Sequence, residues 1–154
     1  MREGIRLGID VGQARVGVAR SDPQGAMAVP VMTLPRESAL AGLGEIVLEY
    51  EPLEIVVGLP INLQGQRTAS TDDAEAFARE IQALGVAPVR MVDERLSTVS
   101  ATSALHSAGR PSREHRSVVD QVAAVILLQQ ALDSERSQGV PSGYVLEHPT
   151  SDDQ

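Results

Sequence analysis

The sequence predicts one α/β domain on a mixed five-stranded sheet, and two observations carry that prediction. Short apolar runs separated by turn signals crowd the first third of the chain, which implies an antiparallel meander. After Leu34 the period changes, and helically spaced apolar residues alternate with short strand-like runs, the pattern of a sheet flanked by helices. At 154 residues the chain suits a single domain with a proper core.

Each element follows from local pattern. Ile5 to Asp10 is an apolar run closed by Val11-Gly12, a turn signal. Arg15 to Arg20 alternates polar with apolar and small residues, which suits a hairpin partner. Asp22-Pro23-Gln24-Gly25 marks the next turn, and Ala28 to Leu34 is a third strand. Ser38 to Tyr50 places Leu40, Leu43, Ile46 and Val47 at helical spacing before Pro52 stops it. Leu53 to Gly58 is a short strand, followed by the loop Leu59 to Gly65. A second helix is expected from about Thr71 to Leu84, with Ser70, Thr71 and Asp72 as cap candidates and Gly85 as terminator. Val86 to Asp93 is the fifth strand. Ser97 or Thr98 can cap a third helix reaching His106. Gly109-Arg110-Pro111-Ser112 breaks it, and Ser117 caps a last helix that ends before Gly139. This gives a domain over residues 1–138 and a flexible acidic tail over 139–154.

Composition narrows the function classes. No apolar run reaches the roughly 20 residues of a membrane span, and the start of the chain lacks a signal peptide's apolar core. Zero cysteines exclude disulfides and thiolate metal sites and fit a cytoplasmic protein. Net charge is −8, and all 13 basic residues are arginine. That balance argues against a charge-driven nucleic-acid coat, although the cluster Arg110, Arg113 and Arg116 keeps a local basic patch open. The aromatics are Tyr50, Phe77 and Tyr144, too few for a base-stacking platform.

Three acids stand where acids are unwelcome. Asp10 closes the first apolar run, Glu94 follows the fifth strand, and Asp120 opens the apolar stretch from Val118 to Leu132. Burying an ionised carboxylate without compensation costs several kcal/mol or forces protonation. Asp10 and Glu94 both lie at C-terminal strand ends, the edge where open α/β sheets bind ligands. Ala123 and Ala124, one turn from Asp120, would let that helix face approach the sheet. Each acid also has a plain alternative. Asp10 suits a turn, Asp93-Glu94-Arg95 suits a solvated ion pair, and Ser117 with Asp120 matches a capping box. Like charges about 4 Å apart repel by roughly 4 kcal/mol at an effective dielectric of about 20. Mg²⁺ or Mn²⁺ would relieve that repulsion, and two such ions can drive phosphodiester hydrolysis. Arg95 could hold a phosphate or form a structural pair. Backbone amides of Gly58 to Gly65 could cradle one, or simply connect elements. Arg110, Arg113, His115 and Arg116 could grip a nucleic-acid backbone or form a solvated loop.

The assembled segments resemble the YqgF family, also called RuvX, within the ribonuclease H-like superfamily that includes the RuvC resolvases. The matching stretches are Gly8 to Ala19, Val56 to Pro60, Asp93 to Thr98 and Asp120 to Ala124, in family order across most of residues 5–135. The resemblance implies a ribonuclease H-like fold with the meander at one side and two parallel strands at the other. It implies a metal-dependent nuclease with Asp10, Glu94 and Asp120 as catalytic metal ligands for two Mg²⁺ or Mn²⁺ ions, Glu94 being chosen over Asp93 by motif position. Arg15, Arg95, Arg110, Arg113 and Arg116 are the expected nucleic-acid contacts. The substrate it implies is precursor 16S ribosomal RNA, processed at its 5′ end, with branched or single-stranded DNA as the alternative. RuvC resolvases carry two close acids on the last helix, whereas position 124 here is Ala. Two further readings stay open: a non-catalytic ribosome-assembly or transcription-associated RNA binder, and an ATP-binding protein of the actin–hexokinase type, for which 154 residues are too few.

Overall fold

A computed structural model describes residues 1–94 and 112–147, with 112–119 described by backbone alone. The meander forms as its alternation demands. β1 (Arg6–Val11), β2 (Arg15–Ser21) and β3 (Ala28–Pro35) pair antiparallel in order, with Asp10 opposite Gly17. A short 3-10 turn at Arg36–Ser38 leads into α1 (Ala39–Tyr50), which Glu51 ends in the left-handed region at φ 46°. β4 (Glu54–Leu59) returns parallel to β1, and its six residues are all buried, as expected of a central parallel strand.

α2 (Ala69–Ala83) starts earlier than its sequence suggested. Thr68, not Ser70 to Asp72, is the cap: its hydroxyl accepts from the Thr71 N–H while Thr71 Oγ1 accepts from the Thr68 N–H. The Thr71 hydroxyl also donates to the Pro60 carbonyl, tying the helix to the end of β4. β5 (Val89–Asp93) lies parallel to β4. The helix expected between Ser97 and His106 lies outside the described residues. The last helix, α3 (Ser112–Gln138), begins at Ser112 rather than being capped by Ser117. Asp120 therefore sits about two turns inside it, where no cap is needed, and the capping-box explanation of that acid lapses.

Residues 139–147 are not an unpacked tail, because β6 (Tyr144–Val145) pairs antiparallel with β5 and gives the sheet a sixth strand, in the order β3-β2-β1-β4-β5-β6. Gly143 makes the return possible: its φ is +72°, and a Cβ there would lie 1.9 Å from the Met91 carbonyl oxygen. Leu146 then buries itself in the core, its carbonyl accepting from Gln82 Nε2 at 2.6 Å.

Alternation along the strands splits the interior into two layers. Leu7, Ile9, Val16, Val18, Ile55, Val57 and Met91 face α1 and α2, where Leu43, Ile46, Phe77 and Ile81 meet them. The opposite face carries smaller residues, Ala19 and Val56 among them, under Ala124, Leu128 and Leu132 of α3. No helix of the described residues is long and apolar enough to cross a membrane.

At the sheet end opposite Asp10, buried charges are matched. Glu135 of α3 accepts from Arg2 at 2.8 Å and from Arg6 at 3.2 Å, and Glu54 accepts from Arg2 at 3.1 Å and Arg90 at 2.9 Å. The hydrogen bonds from Arg2 hold the Glu135 carboxyl down at about 2. A carboxylate depressed in the folded state adds stability above its ordinary value near 4.5, and that stability fades as pH falls towards 2. Glu135→Gln is expected to cost about 3 kcal/mol at pH 7, with the gap to wild type narrowing in urea titrations run at successively lower pH.

Candidate active site

Side-chain alternation on β1 sends Leu7 and Ile9 towards α1 and α2 and turns Gly8 and Asp10 to the α3 side. Glu94 follows β5 directly, and its N–H reaches the Leu59 carbonyl at 3.3 Å, continuing the ladder one step past the strand. Between the two acids runs β4, and there the residue is Gly58. A Cβ on Gly58 would lie 1.9 Å from Glu94 Oε2. Glu94 thus lies across β4 in space that any side chain would fill, and it reaches Asp10. The two carboxyl groups share a hydrogen bond, with the proton held on Glu94 and donated to Asp10. Burial and then the Asp10 charge push the Glu94 carboxyl up to about 9. Burial also raises Asp10, to about 6, against the pull of that hydrogen bond. Glu94 is only 7% exposed, which explains the size of the effect.

The third acid arrives from the helix above. α3 rests on the sheet at backbone distance: a Cβ on Gly17 would lie 2.0 Å from the Asp120 carbonyl oxygen, and one on Gly8 would lie 3.0 Å from that of Ala124. Gln121 Nε2 donates to Thr33 Oγ1 at 3.0 Å and keeps the helix from rotating. Because Gly17 is opposite Asp10, this seat sets Asp120 beside the pair, close enough for its charge to raise Asp10. The Asp120 carboxylate nevertheless turns to Arg15, whose Nε donates to Oδ2 at 2.9 Å. Burial lifts the Asp120 carboxyl and Arg15 opposes the rise. Among the described residues, no three carboxylate, imidazole or thiolate groups stand close enough to hold an ion as they are. Two acids touch, and the third is beside them in the grip of an arginine.

Of the other residues picked from sequence, Arg95 and Arg110 lie outside the described residues, and Arg113, His115 and Arg116 fall in the first turns of α3. In the suggested phosphate cradle over Gly58 to Gly65 several amides are engaged within the loop: Asn62 N–H donates to the Gln66 carbonyl at 3.0 Å, Gln64 N–H to Asn62 Oδ1 at 3.0 Å, and Gly65 N–H to the Asn62 carbonyl at 2.9 Å. The N-terminus of α2 carries its own cap and the acid Asp72. Sequence reasoning missed Arg36, which donates to the Gly12 carbonyl at 2.9 Å, chelates Asp73 at 2.8 and 2.9 Å and lies over the Phe77 ring. It braces the turn after Asp10, and no local pattern announces it. The glycines Gly17 and Gly58 were visible as lone glycines inside strands, a known sign of close approach.

The sequence profile of the RuvX family, described as Holliday junction resolvase, matches residues 4–134. The chain belongs to the RuvX family. A RuvX relative from Clavibacter michiganensis, provisionally named a pre-16S rRNA nuclease, is 54% identical over 150 residues, covering 95% of this chain and 93% of its own. One from Streptomyces coelicolor with the same provisional name is 49% identical over 152 residues, covering 96% and 90%. Among solved structures, Thermus thermophilus RuvC in complex with a Holliday junction substrate superposes with a TM-score of 0.57 at 16% identity, covering 93% of this chain and 99% of that one. At that identity the likeness is one of fold, the ribonuclease H-like arrangement expected from the motifs. RuvX membership makes the chain a nuclease, as the sequence led one to expect.

Proposed function

We propose that this chain is a divalent-metal-dependent nuclease acting on RNA, with the 5′ region of precursor 16S ribosomal RNA as its substrate and Asp10, Glu94 and Asp120 as its ion-binding and catalytic residues. The observation that carries the reading is the Asp10–Glu94 contact made across Gly58. Two buried carboxyl groups that hold a proton between them are an oxygen-only donor pair, the ligand chemistry a hard dication takes. Mg²⁺ or Mn²⁺, two ions for preference, would supply the positive charge that a phosphodiester needs at its attacking and leaving oxygens.

The chain's own residues do the rest. Asp10, central between Glu94 and the α3 seat, would hold the ions together with Glu94 and Asp120. Glu94 closes the site on the β5 side, and Asp120 closes it on the helix side. Arg15, Arg95, Arg110, Arg113 and Arg116 would meet the substrate's phosphates, an arrangement of local positive charge that a net acidic protein can sustain. The provisional names of the RuvX relatives favour RNA, and precursor ribosomal RNA as substrate implies a cytoplasmic enzyme. Junction cleavage is the second reading, supported by the family description.

The test compares hydrolysis of a 5′-extended 16S precursor, single-stranded DNA and a four-way junction with Mn²⁺, with Mg²⁺ and after chelation. Cleavage of the precursor that stops on chelation is expected. Cleavage that persists in Asp10→Asn would overturn the mechanism, and metal-independent binding without turnover would favour a pure RNA binder.

A further inference from the structure

The nuclease reading leaves one contact unexplained. Asp120 must join Asp10 and Glu94 if three acids are to share ions, yet its carboxylate is held by Arg15 at 2.9 Å. The pair is built into the site. Arg15 opens β2, two residues before Gly17, the residue on which the Asp120 backbone rests. Strand and helix thus fix the two Cα positions, while the side chains meet at the sheet edge with Arg15 35% exposed and Asp120 16%. The contact is a single bond from Nε, and the other guanidinium N–H groups have no recorded acceptor among the described residues. Arginine can donate five such bonds, and Asp120 takes one of them.

We propose that Arg15 is an exchangeable counter-ion for Asp120: it neutralises this acid before loading, competes with the divalent ion for it, and turns to the substrate phosphate once the ion has taken its place. This rests on the proposed nuclease site and adds a competition to it. The competition follows from electrostatics, because a fixed positive charge touching a ligand opposes the arrival of a second cation there. Its benefit lies in the reaction, because a bidentate guanidinium placed beside the ion can bind a non-bridging phosphate oxygen pair. Loading and substrate capture are thereby coupled through one side chain.

The experiment measures Mn²⁺ affinity by electron paramagnetic resonance, without substrate, in wild type, Arg15→Gln, Arg15→Lys and Asp10→Asn at pH 8. The same proteins are then assayed for kcat and KM on the precursor RNA, with folding checked by circular dichroism. Arg15→Gln is expected to bind Mn²⁺ about 5-fold more tightly while kcat falls about 10-fold or more. Arg15→Lys restores the charge without the fork, so it should return Mn²⁺ affinity to within about 2-fold of wild type and leave kcat low. Merely structural damage would weaken both binding and turnover. Unchanged or weaker Mn²⁺ binding in a folded Arg15→Gln overturns the exchange. If wild type binds Mn²⁺ and Asp10→Asn does not, that failure belongs to Arg15 alone; if wild type binds none, the nuclease site itself fails.

Discussion

Glu94→Gln is expected to stabilise the protein and silence it together. In the folded chain the Glu94 carboxyl keeps its proton up to about 9, whereas in the unfolded chain it releases it near the ordinary value of 4.5. Between those two values the folded state binds more protons, so stability falls as pH rises through that window. Glutamine donates an N–H to Asp10 much as the protonated acid does, but it has nothing to lose at high pH. At pH 8 the variant should therefore melt about 3 °C above wild type, corresponding to roughly 1 kcal/mol, and the difference should shrink towards pH 5. Cleavage should drop by about 100-fold or more, since a site of this kind supplies several kcal/mol to the transition state. Calorimetry across pH 5–9 with a parallel RNA cleavage assay reads both. Parallel melting curves for the two proteins, or a glutamine variant that cuts at the wild-type rate, would refute the shared-proton pair.

Gly58→Ala should separate site from scaffold. The added methyl would meet Glu94 Oε2 at 1.9 Å and Leu127 Cδ2 at 3.1 Å, both the far ends of side chains. Gly58 is not in a positive-φ conformation, so alanine suits its backbone. The fold yields by letting Glu94 swing off β4, which also relieves the buried acid pair. Melting temperature should stay within about 3 °C of wild type while cleavage falls about 100-fold. Gly17→Ala is the informative contrast. Its methyl would meet the Asp120 carbonyl at 2.0 Å, a backbone atom of α3, so the whole helix must lift, at about 3 kcal/mol of stability. Urea denaturation of both variants distinguishes the cases; an active, unshifted Gly58→Ala would show that Glu94 does not need the gap.

Much of this was readable along the chain, and the unread part has a common cause. Strands β1 to β5 announced themselves because period and turn residues are local, and Asp10 stood out because it ended an apolar run. The ordered motifs led to the RuvX family and its fold. β6 escaped notice because two exposed residues make no periodic signal; what forms it is the turn at Gly143 and the ladder offered by β5. The start of α3 was misplaced at Ser117 for a related reason, since a plausible cap residue says nothing of whether a helix has already begun. The route of Glu94 across Gly58, the Arg15–Asp120 pair and the brace at Arg36 join residues far apart in sequence. Such contacts are properties of the packed sheet, and no window of neighbouring residues contains them.

The seating of α3 on strand glycines also sets the order in which the enzyme comes into being. Synthesis delivers Asp10 first, Glu94 past the midpoint and Asp120 only in the final third, followed by the strand that closes the sheet edge. A nascent chain still lacking α3 presents Gly8, Gly17 and Ala19 to solvent with nothing laid over them, and its acid pair has no third member. Domains generally fold as units once enough of the chain has emerged. Asp120 therefore comes beside the acid pair only once that helix has packed down on the strand glycines.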